Sequence, residues 1–143
     1  MTENEIKEKD KNIIDVAKQH DIFWTAADCY AIEKHLAFTI GRLSEINQEE
    51  AKQLLPVYEE VRKIRTKLLA RLAPRGTRYD LWCIFKHFLG AVIEATEVGI
   101  KDKSEGDMEN ALKMFEISND LYDIFWLIVN YIEQKNKREC NVP

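Results

Sequence analysis

Apolar residues recur along this chain at helical spacing. The densest case lies between Thr77 and Ile100, where Leu81, Ile84, Phe85, Phe88, Leu89, Val92, Ala95 and Thr96 cover more than half of a helical circumference. A surface helix buries a narrower arc, so this segment is expected inside a bundle, touched from two sides. Its remaining strip carries Tyr79, Cys83, Lys86, His87, Gly90, Glu94, Glu97 and Lys101. The charges within the run make it too polar to span a membrane. Pro74, Gly76 and Thr77 mark its start, and Gly99 with the polar stretch after Lys101 marks its end.

The other periodic segments read as neighbours that cover this one. Thr25 and Asp28, with Trp24 before them, fit a capped helix start. The helix so predicted runs to about Ile46, with a main stripe of Cys29, Ile32, Leu36, Ile40 and Leu43 and a second stripe of Trp24, Ala31 and Phe38. Asn47, with Glu50 three residues on, reads as the next cap, so the following helix doubles back as an antiparallel hairpin. That helix is expected over 48–72, with Leu54, Tyr58, Val61, Ile64, Leu68 and Leu72 inward and a kink or restart at Pro56. A last helix is predicted from Ser104–Asp107 to about Gln134, with Met108, Ala111, Phe115, Tyr122, Phe125, Val129 and Ile132 inward. It too carries a second stripe: Ile117, Ile124, Leu127 and Tyr131.

The pattern therefore predicts an all-α, up-down-up-down four-helix bundle with a short extra N-terminal helix built on Ile6, Ile13, Val16 and Ala17. Residues 1–11 are expected to be a frayed polar N-terminus, 12–135 one domain, and 136–143 a polar tail. The two halves also match each other. At an offset of 52, Ile32–His35 overlies Ile84–His87; after an eight-residue insertion, Val61, Ile64, Leu68, Leu69 and Leu72 overlie Leu121, Ile124, Ile128, Val129 and Ile132. Two related helical hairpins would produce this, although amphipathic helices also match by chance.

Composition narrows the class. With 143 residues, 32% of them charged, and a formal charge of −4, the chain suits one globular domain and is too apolar for disorder. Five Gly and three Pro are too few for a turn-rich β protein. Cys29, Cys83 and Cys140 are odd in number and far apart, so they read as reduced thiols, which places the chain in the cytoplasm. The polar, acidic start reads as neither a secretion nor a lipidation signal.

Chemistry is sparsely marked. There is no phosphate-cradling glycine loop and no nucleophile elbow, and Arg78 and His87 lie too far apart to act together within one or two helical turns. Catalysis is therefore the weaker class, and no cofactor is expected. His35 and His87 occupy matching places in the two halves, with Cys83 one turn before His87 and Glu94 two turns after it. A metal or small-ligand site is one reading of this neighbourhood. The residues three before the histidines are Ile32 and Ile84, however, so the Glu-x-x-His pattern of helical metal sites is missing.

Charge is the stronger signal. Between Glu60 and Asp80 there is no acidic residue, while Arg62, Lys63, Arg65, Lys67, Arg71, Arg75 and Arg78 all fall there. Such a face attracts phosphates or an acidic protein, although solvated helix faces also look like this. Arg65 and Arg42 sit beside apolar stripes; each must find a carboxylate or snorkel, and snorkelling is the expectation. The second apolar stripes need cover, which predicts a homodimer. The resulting expectation is a non-catalytic interaction protein that self-associates and offers Arg62, Lys63, Lys67, Arg71, Arg75 and Arg78 to an acidic protein or nucleic acid. A ligand-binding bundle using His35, His87, Cys83 and Glu94 is the alternative.

Overall fold

The computed structural model describes residues 1–140. Four α-helices follow one another: α1 (Glu3–Ile46), α2 (Gln48–Leu72), α3 (Tyr79–Ser104) and α4 (Met108–Cys140). They pack as an up-down-up-down bundle. No strand is present among the described residues, and no helix there is long and apolar enough to cross a membrane.

The links are local devices. Asn47 alone joins α1 to α2: its N–H reaches the Leu43 carbonyl and its side chain accepts from the Glu50 N–H at 3.2 Å. Gly76 takes φ 76° in the α2–α3 turn, where Thr77 Oγ1 donates to the Pro74 carbonyl at 2.6 Å. Gly106, φ 82°, turns the chain into α4, whose first turn is capped by Asp107 accepting from Asn110 N at 3.1 Å. Pro56 lies within α2 and is accommodated in one continuous helix.

The start of the chain departs from the sequence reading. There is no separate N-terminal helix: α1 is 44 residues long and begins with a capping box between Thr2 and Glu5. Thr25 lies inside it and spends its hydroxyl on the Asp21 carbonyl at 2.8 Å instead of capping. The geometry explains what becomes of the extra turns. From the Asn47 turn, the 25 residues of α2 can run back along α1 only about as far as residue 22, at 1.5 Å per residue in both helices. Every residue before Ile22 is accordingly exposed. At the other end, α4 continues through Cys140, so most of the expected 136–143 tail is helical; 141–143 lie outside the described residues.

Both hairpins zip together on seams of alternating three- and four-residue spacing. In α1 the buried or half-buried seam is Ala26, Cys29, Glu33, Leu36, Ile40 and Leu43; in α2 it is Ala51, Leu54, Tyr58, Val61, Arg65, Leu68 and Leu72. The second hairpin uses Leu81, Phe85, Phe88, Val92, Ala95 and Gly99 of α3 against Ala111, Phe115, Ser118, Tyr122, Phe125, Val129 and Ile132 of α4. Ile32 and Ile64, expected to face inward, lie one residue before the seam positions 33 and 65, at the edge of these seams, and are about half exposed.

The hairpins meet on an aromatic centre. Phe125 stacks edge-on against Phe23 at 4.9 Å and packs against Phe85 at 5.1 Å, and all three are fully buried. Further along, α1 and α3 run parallel and close together, with Tyr30 over Gly90 and Lys34 paired with Glu94 at 3.2 Å. Gly90, on the polar strip of its helix, is buried by the Tyr30 ring, which lies so close that a Cβ there would meet it at 2.7 Å.

Candidate functional site

The first seam carries charge at one point. Glu33 and Arg65 sit on seam positions of α1 and α2, 3% and 7% exposed, where apolar residues are otherwise the rule. Arg65 Nε donates to Glu33 Oε2 at 2.8 Å and its Nη2 donates to Oε1 at 3.0 Å. This corrects the expectation that Arg65 snorkels: the residue is only 7% exposed, and a facing carboxylate supplies the partner for two of its N–H groups. Arg42 behaves as expected, exposed, with its guanidinium 4.9 Å from the Phe38 ring centroid.

If the halves are overlaid at the offsets of 52 and 60, Glu33 falls on Phe85 and Arg65 on Phe125. Those two phenylalanines touch in the second hairpin. One hairpin thus has an ion pair where the other has an aromatic contact. A seam of this geometry is closed by apolar side chains elsewhere in the molecule, so the fold does not itself require charge here.

Arg65 also faces a cleft. Its Nη1 makes no hydrogen bond among the described residues, and its guanidinium carbon lies 5.7 Å from the Tyr30 ring centroid. Two lobes of about 210 Å³ each lie beside it and share Arg62, Arg65 and Lys86 as lining residues. Tyr30, Glu33, Lys34, Ala37 and Tyr58 complete one lobe; Thr66, Tyr79, Trp82 and Cys83 complete the other. The carboxylates nearby are largely committed. Glu33 is held by Arg65, Glu94 by Lys34, and Glu59 lies 3.9 Å from Arg62 at the limit of an ion pair. Lys86 has no carboxylate partner among the described residues. The cleft is cationic with aromatic walls.

Outside it, the other cations of the predicted basic face are exposed. Lys63 pairs with Glu60 at 3.1 Å and Arg78 with Asp80 at 3.2 Å, whereas Lys67, Arg71 and Arg75 have no ion pair among the described residues.

The histidine neighbourhoods are dispersed. His35 lies in a shallow groove on α1 with Asp28, Ala31, Ile32, Leu36 and Thr39. His87 lies in another with Ile84, Phe88, Ala91 and Leu121. Cys83 opens on the basic cleft instead, and Glu94 is engaged by Lys34. Among the described residues no three His, Cys, Asp or Glu side chains converge as a metal site would need. The third histidine, His20, bonds the Tyr122 hydroxyl through Nδ1 at 2.8 Å.

Compared with protein-family models, curated proteins and solved structures, the chain matches none.

Proposed function

We propose that this protein is a non-catalytic helical module that presents the basic side of α2 to an acidic partner, and that it self-associates. The observation carrying the first half is the set of exposed cations without ion pairs, Lys67, Arg71 and Arg75, on a stretch that holds no acidic residue. Arg62 links this surface to the cleft, so a partner lying along α2 also meets the cleft mouth. Coulomb attraction of this kind is screened by salt, which makes it testable.

The test is fluorescence anisotropy with a labelled single-stranded RNA and, in parallel, an acidic peptide. Binding in 50 mM salt that is lost in Arg62→Glu/Lys67→Glu/Arg71→Glu is the expected result. If RNA is the ligand, three phosphate contacts give a slope of about −2 in log affinity against log salt. Indifference of both ligands to the triple reversal would remove the proposal.

Self-association rests on a second observation. Ile117, Ile124, Leu127 and Tyr131 repeat the three-four spacing on the outer side of α4, broken only by Asp120, and are 42–67% exposed. A second apolar seam on a helix already packed by its first is the pattern of a contact surface. Sedimentation velocity at micromolar concentration is expected to show a dimer that Leu127→Lys/Tyr131→Lys dissociates; a monomeric parent protein would refute it.

A further inference from the structure

We infer that the cleft between α1, α2 and α3 is a nucleotide site, with a phosphate held by Arg62, Arg65 and Lys86 and the base against Trp82 and Tyr79. This goes beyond the α2 surface reading, since it assigns a small-ligand site to residues on three helices. Three features point the same way. The first is Arg65, a nine-tenths-buried cation whose Nη1 has no partner and which lines both lobes. Held by Glu33 through Nε and Nη2, it is fixed in place with one N–H edge spare, which suits a phosphate oxygen. The second is the company it keeps: Arg62 and Lys86 line the same two lobes, one only loosely paired with Glu59 at 3.9 Å and one unpaired, so the site stays positive after Glu33 is set against Arg65. A positive site of this kind suits a phosphate group. The third is the aromatic wall, half-buried Trp82 and exposed Tyr79, in the same lobe as these cations. Flat bases stack on such side chains regardless of sequence.

The matched position in the other hairpin sharpens the inference. There Phe85 and Phe125 close the seam without any charge. An ion pair where an apolar contact would serve is explained if the arginine is needed for a ligand and the glutamate holds it.

Isothermal titration with adenosine monophosphate, inorganic phosphate and adenosine tests this on the full chain. The monophosphate is expected to bind at least 10-fold more tightly than either fragment. Lys86→Ala, checked for folding by circular dichroism, should weaken it 10-fold or more, and Trp82→Leu should weaken the monophosphate but not phosphate. Lys67→Glu/Arg71→Glu should leave it unchanged, which separates this site from the α2 surface. A 5′-phosphorylated tetranucleotide that binds better than the monophosphate, with the same Lys86 dependence, would support the site and make its ligand a strand end. No binding of monophosphate or tetranucleotide at millimolar concentration, or binding indifferent to Lys86→Ala, overturns it.

Discussion

Replacing the Glu33–Arg65 pair separates what holds the bundle together from what the cleft does. Arg65→Met leaves Glu33, 3% exposed, without the two donors at 2.8 and 3.0 Å. Stranding one member of a buried pair costs about 3–5 kcal/mol. Glu33→Leu strands the guanidinium and costs a similar amount. The double variant Glu33→Leu/Arg65→Met removes both charges and fills the seam with apolar side chains of similar volume. It should be neutral or up to about 4 kcal/mol more stable than the parent. Urea unfolding followed by circular dichroism measures this at fixed protein concentration. With a slope of about 2 kcal/mol per molar, each single variant should lose about 2 M of midpoint and the double variant none. The double variant should also fail to bind adenosine monophosphate while remaining folded. Single variants within about 1 kcal/mol of the parent would refute the reasoning, since the pair would then be hydrated and Arg65 would not be locked for a ligand.

Glycine substitutions should divide by environment. Gly41→Ala meets nothing within 4 Å and should stabilise α1 by about 0.5–1 kcal/mol, whereas Gly90→Ala drives a Cβ to 2.7 Å from the Tyr30 ring and should lower the urea midpoint. Ser118→Ala removes the hydrogen bonds that Ser118 Oγ makes with the Val92 carbonyl at 3.1 Å and Thr96 Oγ1 at 2.8 Å, and should cost about 1 kcal/mol in the same assay. Burial, reinforced by the carboxylates of Glu33 and Asp28 and opposed by Arg65, raises the pKa of the Cys29 thiol. A raised pKa means less thiolate at a given pH, so at pH 8.5 iodoacetamide should modify exposed Cys140 well before Cys29, with the gap closing as pH rises; mass spectrometry of the labelled peptides reads the order.

How much of this was legible in the sequence follows the reach of each interaction. The Asn47 cap, with Glu50 three residues away, is local and could be read directly. The basic stretch from Arg62 to Arg78 is contiguous and could also be read. The start of α1 could not: Thr25 has the neighbours of a cap, but a threonine hydroxyl serves equally well by donating to a carbonyl one turn back, as it does to Asp21. The Glu33–Arg65 pair spans 32 residues, and a charge beside an apolar stripe reads as surface. A signal was nevertheless present. The strict three-four spacing of Ala26, Cys29, Leu36, Ile40 and Leu43 leaves a gap that only Glu33 fills, and the seam of α2 leaves one that only Arg65 fills. Ile32 and Ile64 hid those gaps by being apolar next door. The cleft was out of reach because it needs α1, α2 and α3 placed together, and Trp82 and Lys86 gain meaning only beside Arg62 and Arg65.

Amide and side-chain NMR shifts during titration with a short single-stranded RNA or an acidic peptide test the central claim most directly. The account predicts that the largest changes fall on Tyr58, Arg62, Arg65, Lys67, Arg71 and Lys86. Changes confined to α4, or to the grooves around His35 and His87 while α2 stays silent, would contradict it.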